Sequence, residues 1–255
     1  MNDQIISLNE LKTVSEISWL ERGRSPRGYS KGMALSYARI YGKFLDEMES
    51  ALVLARENSL DSRYDALAVF EGEFGRLGLD VNIGGIEAIR NTFTLLYGLG
   101  MRESSGRHCL GRYLSDPYDE AHSAEAGLFQ TAWSASAKVV DRRWTPINPM
   151  RDLFREYEAS SDPGFLEVFS EGVSCDVRHS DIWGDPDTIG GRYQHLAKNS
   201  PSFAVEFSAI GIREKCQHWG PIKKFPYENF VEIRREVYTL CKAVESVIEE
   251  TGYRV

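Results

Sequence analysis

The chain has 255 residues, of which 42% are hydrophobic, and it carries a formal net charge of −8. A chain of this size can bury a substantial core and forms one large domain or a core with an added subdomain. The acidic balance argues against nucleic acid as a partner and against simple electrostatic adsorption to anionic surfaces.

Apolar residues recur at helical spacing in the first third of the chain. A long amphipathic stripe runs over residues 33–55, and a shorter one over residues 64–77, so each predicts a helix. The basic stretch at 19–29 precedes both stripes. We predict a solvated loop there, with contact to substrate carboxylates or to a partner as the alternative.

The next apolar pattern predicts a largely buried helix over residues 86–105, and it is carried by Ile86, Ile89, Phe93, Leu96, Tyr97 and Met101. Gly106 follows, and glycine readily adopts the left-handed conformation that ends many helices. Glu103 would therefore lie in the last turn, where the negative end of the helix dipole opposes ionisation of its carboxyl group.

The rest of the chain alternates loops with one further strong helical pattern. The segment between 107 and 126 is rich in Ser, Gly, Pro and Asp and predicts a loop. Short helices and long loops are predicted over 146–200, where Gly, Asp and Pro recur among aromatic residues. Apolar residues from Phe230 to Ile248 predict a last amphipathic helix.

The four cysteines lack the close spacing of a zinc site, and the five histidines are scattered. We therefore expect no metal and no cofactor. Cys241 lies on the apolar stripe of the last helix and is interpreted as a core residue. Cys109 would pair with Cys175 in an oxidising compartment, whereas reduced thiols are the default expectation for a chain that begins without a leader.

Two short motifs stand at the end of the 86–105 helix and after the loop: Arg102-Glu103-Ser104-Ser105-Gly106 and Gly127-Leu128-Phe129-Gln130. This pair resembles the Glu-Ser and Gly-Leu-Met-Gln signatures of goose-type lysozymes and soluble lytic transglycosylases, with Phe129 where Met is usual. The resemblance covers roughly residues 86–134. A partial echo follows at 207–211, where FSAIG stands in place of the family's Ala-Tyr-Asn-Ala-Gly.

The resemblance implies a mainly α-helical, lysozyme-like fold with the catalytic Glu at a helix C-terminus and a small lobe rich in loops and turns. In this interpretation residues 1–255 form a single domain. Residues 1–80 would be an N-terminal helical extension, and residues 81–255 the catalytic core with a loop-rich insertion at 146–200.

The activity implied by the resemblance is that of a muramidase, a glycosidase or lytic transglycosylase that degrades bacterial cell walls by cleaving peptidoglycan. Breaking a glycosidic bond requires an acid that protonates the leaving oxygen. A solvated Glu, with a pKa near 4.3, has lost that proton at neutral pH, but burial beside apolar groups raises the pKa. Glu103 is the predicted general acid.

The loop offers several candidates for a second carboxylate that would hold the attacking water. Glu125 is the first choice because it directly precedes the Gly-Leu-Phe-Gln turn. Asp119 and Glu120 fall nearest the place where goose-type enzymes carry a loop aspartate, while Asp116 precedes Pro117 and fits the start of a turn. A lytic transglycosylase needs no such partner, because the 6-hydroxyl of the sugar itself attacks.

Substrate-binding residues also follow from the resemblance. Gln130 and the backbone from Gly127 to Phe129 would form the floor of the cleft and bind sugar hydroxyls and N-acetyl groups. Ser104 would lie beside the acid, either steadying it structurally or contacting substrate. Trp219 provides either a platform on which a sugar ring stacks or a core residue.

Two alternative functions remain at this stage. Chitin or chitosan would be cleaved by an enzyme with the same core, and a catalytically silent glycan-binding scaffold would retain the fold alone. No apolar run is long enough for a membrane helix, and the N-terminus lacks a signal pattern. We therefore expect synthesis in the cytoplasm, no membrane partner, and export by a non-Sec route to the periplasm or a target cell. A secretion or immunity partner is left open.

Overall fold

The structure is a computed structural model, and it describes residues 1–59, 61–111, 120–175, 182–226 and 231–252. The protein is mainly helical, as the sequence predicts. The helices of the first part are α1 (Asn2–Ile6), α2 (Asn9–Glu16), α3 (Arg27–Leu45), α4 (Glu49–Leu54), α5 (Ala66–Val69), α6 (Glu71–Arg76) and α7 (Ile86–Ser104). Those that follow are α8 (Asn148–Ser160), α9 (Leu166–Phe169), α10 (Ile189–Asn199), α11 (Pro201–Glu214), α12 (Gly220–Lys223) and α13 (Arg235–Thr251).

Among the described residues, two small antiparallel hairpins accompany the helices. One pairs β1 (Ser18–Trp19) with β2 (Gly23–Arg24), and the other pairs β3 (Ala137–Val140) with β4 (Arg143–Pro146). Short 3-10 helices cover Trp133–Ser136 and Cys216–His218. The second hairpin belongs to the segment between α7 and α8, whose described part consists of turns, one 3-10 helix and this hairpin.

Helix α7 lies at the centre of the fold, where it packs against α3, α4, α11 and α13. Its apolar residues are buried along nearly its whole length, so the helix is enclosed rather than amphipathic. One hydrophobic cluster extends from Ile5 in α1 to Ile248 in α13. The N-terminal helices therefore share the core of the site-bearing helix. No helix among the described residues is both long and apolar enough to cross a membrane.

Three predicted elements differ from those observed in the first part of the chain. The stripe over 33–55 is broken between α3 and α4, because the chain turns at Glu47, whose φ is +56°. The stripe over 64–77 forms the two short helices α5 and α6 instead of one. The basic stretch at 19–29, predicted as a loop, contains part of the β1–β2 hairpin and the first turn of α3.

The second part of the chain also differs in detail. The region 146–200 contains two substantial helices, α8 and α10, because Leu153, Phe154 and Tyr157 in α8 and Tyr193 in α10 have an apolar core to pack against. The last helix begins at Arg235, after the position predicted, and Phe230 lies outside the described residues.

Gly98 on α7 sets how closely the segment after residue 230 approaches the central helix. A Cβ atom at this position would lie 2.1 Å from the carbonyl oxygen of Glu232 and 2.9 Å from Cγ1 of Val231. Carbonyl oxygens of backbone cannot rotate away as a flexible side chain can. The contact therefore requires glycine.

Gly98→Ala is expected to lower the free energy of unfolding by about 1–3 kcal/mol, because the added methyl group forces apart two packed segments. Gly75→Ala is the matched control, since a Cβ there meets nothing within 4 Å and the position is helical. It should be neutral or stabilising by about 0.5–1 kcal/mol. Urea unfolding of the two variants measures both effects, and equal stabilities would contradict this packing.

Candidate active site

The site is built on the end of α7, where Glu103 lies in the last turn. The helix stops because Ser105 and Gly106 both have left-handed backbones, with φ of +55° and +72°. Their amides close the last turns, with Ser105 N 3.0 Å from the carbonyl oxygen of Met101 and Gly106 N 3.2 Å from that of Gly100. The predicted helix is confirmed, and one residue before the predicted glycine also adopts the left-handed conformation.

The Tyr29 side chain packs against this end of the helix. A Cβ at Gly100 would lie 2.3 Å from the Tyr29 hydroxyl oxygen, and a Cβ at Gly106 would lie 2.7 Å from Cγ of the same ring. The hydroxyl donates a hydrogen bond of 2.7 Å to the carbonyl oxygen of Tyr97. Two glycines thus allow an aromatic ring to pack directly against the turn that carries Glu103.

The Gly-Leu-Phe-Gln motif forms a tight turn closed by an isolated β-bridge between Ala126 and Thr131. The backbone of Gly127 donates a hydrogen bond of 2.8 Å to the carbonyl oxygen of Leu110, which belongs to the segment that follows α7. The Gln130 side-chain amide donates to the carbonyl oxygen of Gly127 at 2.9 Å. A main-chain hydrogen bond therefore connects the Gly-Leu-Phe-Gln turn to the segment that follows the Glu103 motif.

Glycine is required at the first position of this turn. Gly127 has a φ of +77°, and a Cβ there would lie 2.6 Å from the carbonyl oxygen of Ala197 in α10. On the other side, the Trp219 indole N–H donates a hydrogen bond of 2.9 Å to the carbonyl oxygen of Phe129. Trp219 is only 1% exposed, so it is a core residue that supports the turn, and the alternative of a sugar-stacking platform is wrong.

Two other predicted contact residues are also buried. Ser104 is 1% exposed, and its hydroxyl donates to the carbonyl oxygen of Gly100 at 3.0 Å while accepting from the amide of Arg107 at 3.1 Å. The Phe129 side chain is 1% exposed as well. Neither side chain reaches a surface that substrate could touch, because both fill the space beneath the turn. Gln130 is partly exposed and stays a candidate contact.

The pKa of Glu103 is raised from 4.5 to about 8. Burial is the largest cause, and the charge of the nearby Glu125 carboxylate is the second. The positive charges of Arg22 and Arg102 act in the opposite direction. A neutral carboxyl group is favoured where water is excluded and a like charge is close. Glu103 therefore holds a proton at neutral pH, as the sequence analysis predicts.

Glu125 lies between the buried residues Ala124 and Ala126, next to the β-bridge. The negative charge of Glu125 also acts on Tyr193 in α10. Burial is the main cause that raises the pKa of the Tyr193 hydroxyl group, a hydrogen bond to Thr131 lowers this pKa, and the charge of Glu125 raises it. Tyr193 is a site residue that sequence reasoning missed. It stands in the region predicted as loop-rich, where no motif singles it out.

Arg22 also lies near Glu103, and it belongs to the basic stretch at 19–29 for which contact with substrate carboxylates is the alternative prediction. It lies at the tip of the β1–β2 hairpin. The neighbouring Glu21 forms an ion pair with Arg102 on α7, with 3.0 Å between its carboxylate oxygen and the guanidinium nitrogen. The hairpin is held by Trp19, which is buried and stacks on Tyr97 at 5.3 Å between ring centroids. The basic composition of 19–29 was the signal that pointed to this contact.

The remaining loop acids are less well placed or not described. Glu120 is exposed and pairs with His122 at 3.2 Å. Asp116 and Asp119 lie outside the described residues. Within the described part of the chain, Glu125 is the loop carboxylate whose charge acts on Glu103.

Cys109 and Cys175 form a disulfide with a Cα–Cα distance of 5.9 Å, so the default expectation of reduced thiols is wrong for this pair. The bond forms because the segment after α7 and the segment after α9 meet in space. Cys216 and Cys241 are free and buried. His108 lies beside the two bonded sulfurs, and this trio is a potential metal-ligand group only when the disulfide is absent.

No protein-family model, curated protein sequence or solved structure matches the chain significantly.

The raised pKa of Glu103 predicts a pH-dependent cost in stability. Because the folded state keeps a proton that the unfolded chain releases above about pH 4.5, the wild type loses stability as the pH rises from about 4.5 to about 8. Each pKa unit corresponds to about 1.4 kcal/mol, so the shift from 4.5 to about 8 sets an upper limit of about 5 kcal/mol on the loss. Glu103→Gln removes this titration and should gain stability relative to the wild type over that range.

Thermal unfolding of both proteins at several pH values measures the difference. Glu120→Gln, a change at an exposed loop acid, is the control and should show no such trend. A difference between Glu103→Gln and the wild type that stays constant from pH 4.5 to pH 8 would mean that Glu103 has an ordinary pKa.

Proposed function

We propose that the protein is a glycosidase of lysozyme-like fold that cleaves the glycan strands of peptidoglycan, with Glu103 as general acid. The observation that carries the proposal is the partly buried Glu103 carboxyl group, whose pKa is raised to about 8 beside a second carboxylate. General acids in glycosidases need a raised pKa to retain a proton at neutral pH. The paired Glu-Ser-Ser-Gly and Gly-Leu-Phe-Gln motifs support the same assignment.

In this mechanism the carboxyl group of Glu103 donates its proton to the leaving glycosidic oxygen as positive charge builds on the sugar ring. Glu125 then holds and deprotonates the attacking water. The like charge that raises the pKa of Glu103 supports this two-carboxylate hydrolase. In the alternative, a lytic transglycosylase, Glu103 acts alone as acid and then as base, and Glu125 only tunes its pKa.

The charges around the acid support an acidic glycan as substrate. Arg22 and Arg102 are close enough to lower the pKa of Glu103, and Arg22 is exposed. A guanidinium beside the reacting bond would attract the carboxylates of peptidoglycan and repel the ammonium groups of chitosan. Chitin, which is neutral, is the second candidate substrate. A silent glycan-binding scaffold is the alternative that lacks any activity.

Mass spectrometry of the products from purified peptidoglycan tests the proposal most broadly. A new reducing end on each strand indicates hydrolysis, whereas a 1,6-anhydro end indicates transglycosylation. Release of sugar from chitin or chitosan alone would reassign the substrate. Binding of glycan without release of any product would indicate a glycan-binding scaffold that has no catalytic activity.

Glu103→Gln should abolish turnover while the fold is retained, because the amide keeps the shape of the side chain but cannot deliver a proton. General acid catalysis contributes about 10²–10⁴-fold, so the loss in kcat should be at least that large. Activity within tenfold of the wild type, with an unchanged circular dichroism spectrum, would remove Glu103 from this role.

Glu125→Gln should lower kcat strongly with little change in KM, because its effect is felt in the transition state. The substitution also removes a like charge from Glu103, so the pH above which activity falls should be lower than in the wild type. Glu120→Gln is the matched control and should leave both the rate and the pH profile unchanged.

An active Glu125→Gln with an inactive Glu120→Gln would show that the loop acid is assigned wrongly. Added azide should restore part of the turnover in Glu125→Ala if water activation is the lost step. Full activity in Glu125→Gln together with anhydro products would identify a transglycosylase that relies on Glu103 alone.

A further inference from the structure

A groove lies beside the candidate active site, between the 3-10 helix Trp133–Ser136 and the β3–β4 hairpin. It has a volume of about 370 Å³ and is lined by residues that include Trp133 and Trp144, so we call it the Trp133–Trp144 groove. Small-ligand sites typically measure about 300–1,000 Å³.

Trp144 presents a large aromatic surface in this groove. Its side chain is 70% exposed on β4, and the Lys215 ammonium lies over its ring at 5.4 Å from the centroid. The flat ring suits the apolar C–H face of a sugar.

Ser136 and Arg151 are polar residues that line the groove. The Ser136 hydroxyl is buried and has no hydrogen-bond partner among the described residues, although nearly all buried polar groups in proteins have one. Arg151 lies over the Trp133 ring at 5.7 Å, and its Nε donates to the carbonyl oxygen of Ser136 at 3.3 Å. A hydroxyl and a guanidinium thus stand beside an aromatic surface.

Two cations adjoin the aromatic rings, and neither is neutralised in the described part of the chain. Lys215 donates to the carbonyl oxygen of Ser134 at 3.0 Å, and Arg151 to that of Ser136. Neither forms an ion pair with a described carboxylate. Their remaining N–H groups can therefore bind a ligand anion.

The groove is continuous with the segment that carries Glu125. His122, three residues before Glu125, lines the groove, and its carbonyl oxygen accepts a hydrogen bond of 2.9 Å from Ser134. The rings of Trp133 and Tyr193 are in contact, with centroids 6.2 Å apart. The charge of Glu125 is one cause of the raised pKa of Tyr193. The groove is therefore linked to the segment that carries Glu125 through His122 and Trp133.

We propose that the Trp133–Trp144 groove binds a sugar ring whose substituent ends in a carboxylate, at a distance from the bond that is cleaved. The Trp144 ring stacks on the sugar, and Lys215 and Arg151 bind the carboxylate. The inference rests on the proposed function for its choice of polymer, but binding itself does not require turnover.

The test measures binding by calorimetry in the Glu103→Gln background, which prevents cleavage. The probes are a soluble oligosaccharide of alternating N-acetylglucosamine and N-acetylmuramic acid and a neutral N-acetylglucosamine oligomer of equal length. Trp144→Ala should weaken binding of the acidic probe at least tenfold. Val140→Ala, a change at a 39% exposed residue of the same hairpin, is the matched control and should change it less than twofold.

Lys215→Gln should remove most of the preference for the acidic probe over the neutral one, while Trp144→Ala weakens both. On the otherwise wild-type enzyme, Trp144→Ala should raise KM for long strands and leave kcat unchanged. Unchanged binding in Trp144→Ala, or equal affinities of the parent for the two probes, overturns the inference.

The two proposals can fail separately. If the wild type cleaves no glycan but binds the acidic probe through Trp144, the groove stands and the glycosidase proposal fails. If the wild type cleaves peptidoglycan and Trp144→Ala matches Val140→Ala in every measurement, the glycosidase proposal is retained. The proposal that the Trp133–Trp144 groove binds a sugar is then contradicted.

Discussion

Removing an ionised carboxyl group from water costs free energy, and this cost determines the protonation state of Glu103 at the end of α7. The burial of Glu103 and the nearby charge of Glu125 raise its pKa to about 8, so the group stays neutral where an exposed glutamate would be ionised. The central helix can hold such a group because it is packed on several sides by other helices. A mobile helix end would let water in and return the pKa towards its ordinary value.

The geometry of the site depends on close approaches that only glycine permits. Gly100 and Gly106 admit the Tyr29 ring beneath Glu103, and Gly127 admits the backbone of α10 beneath the turn. The amide of Gly127 bonds to the carbonyl oxygen of Leu110, which ties the turn to the chain that leaves α7. The Gly-Leu-Phe-Gln turn is therefore held close to the end of α7, and Glu125 directly precedes the turn.

The local features of the site could be predicted from the sequence because they depend on local patterns. The helix that carries Glu103, its left-handed end and the turn at Gly127 all follow from apolar spacing and glycine position. The sequence could not decide between the two alternatives for Trp219 or for the stretch that contains Arg22, and it did not place Tyr193 near Glu125, because each depends on contacts between segments far apart in the chain. The break of the first stripe at Glu47 and the pairing of Cys109 with Cys175 depend on tertiary packing in the same way.

The central claim is that Glu103 carries its proton at neutral pH, and its carboxyl ¹³C chemical shift tests this most directly. The resonance can be assigned in protein labelled at glutamate side-chain carboxyl carbons by comparison with Glu103→Gln, and then followed from pH 3 to pH 10. The account predicts a titration midpoint near 8. A midpoint near the ordinary value of about 4.3 for glutamate would contradict it.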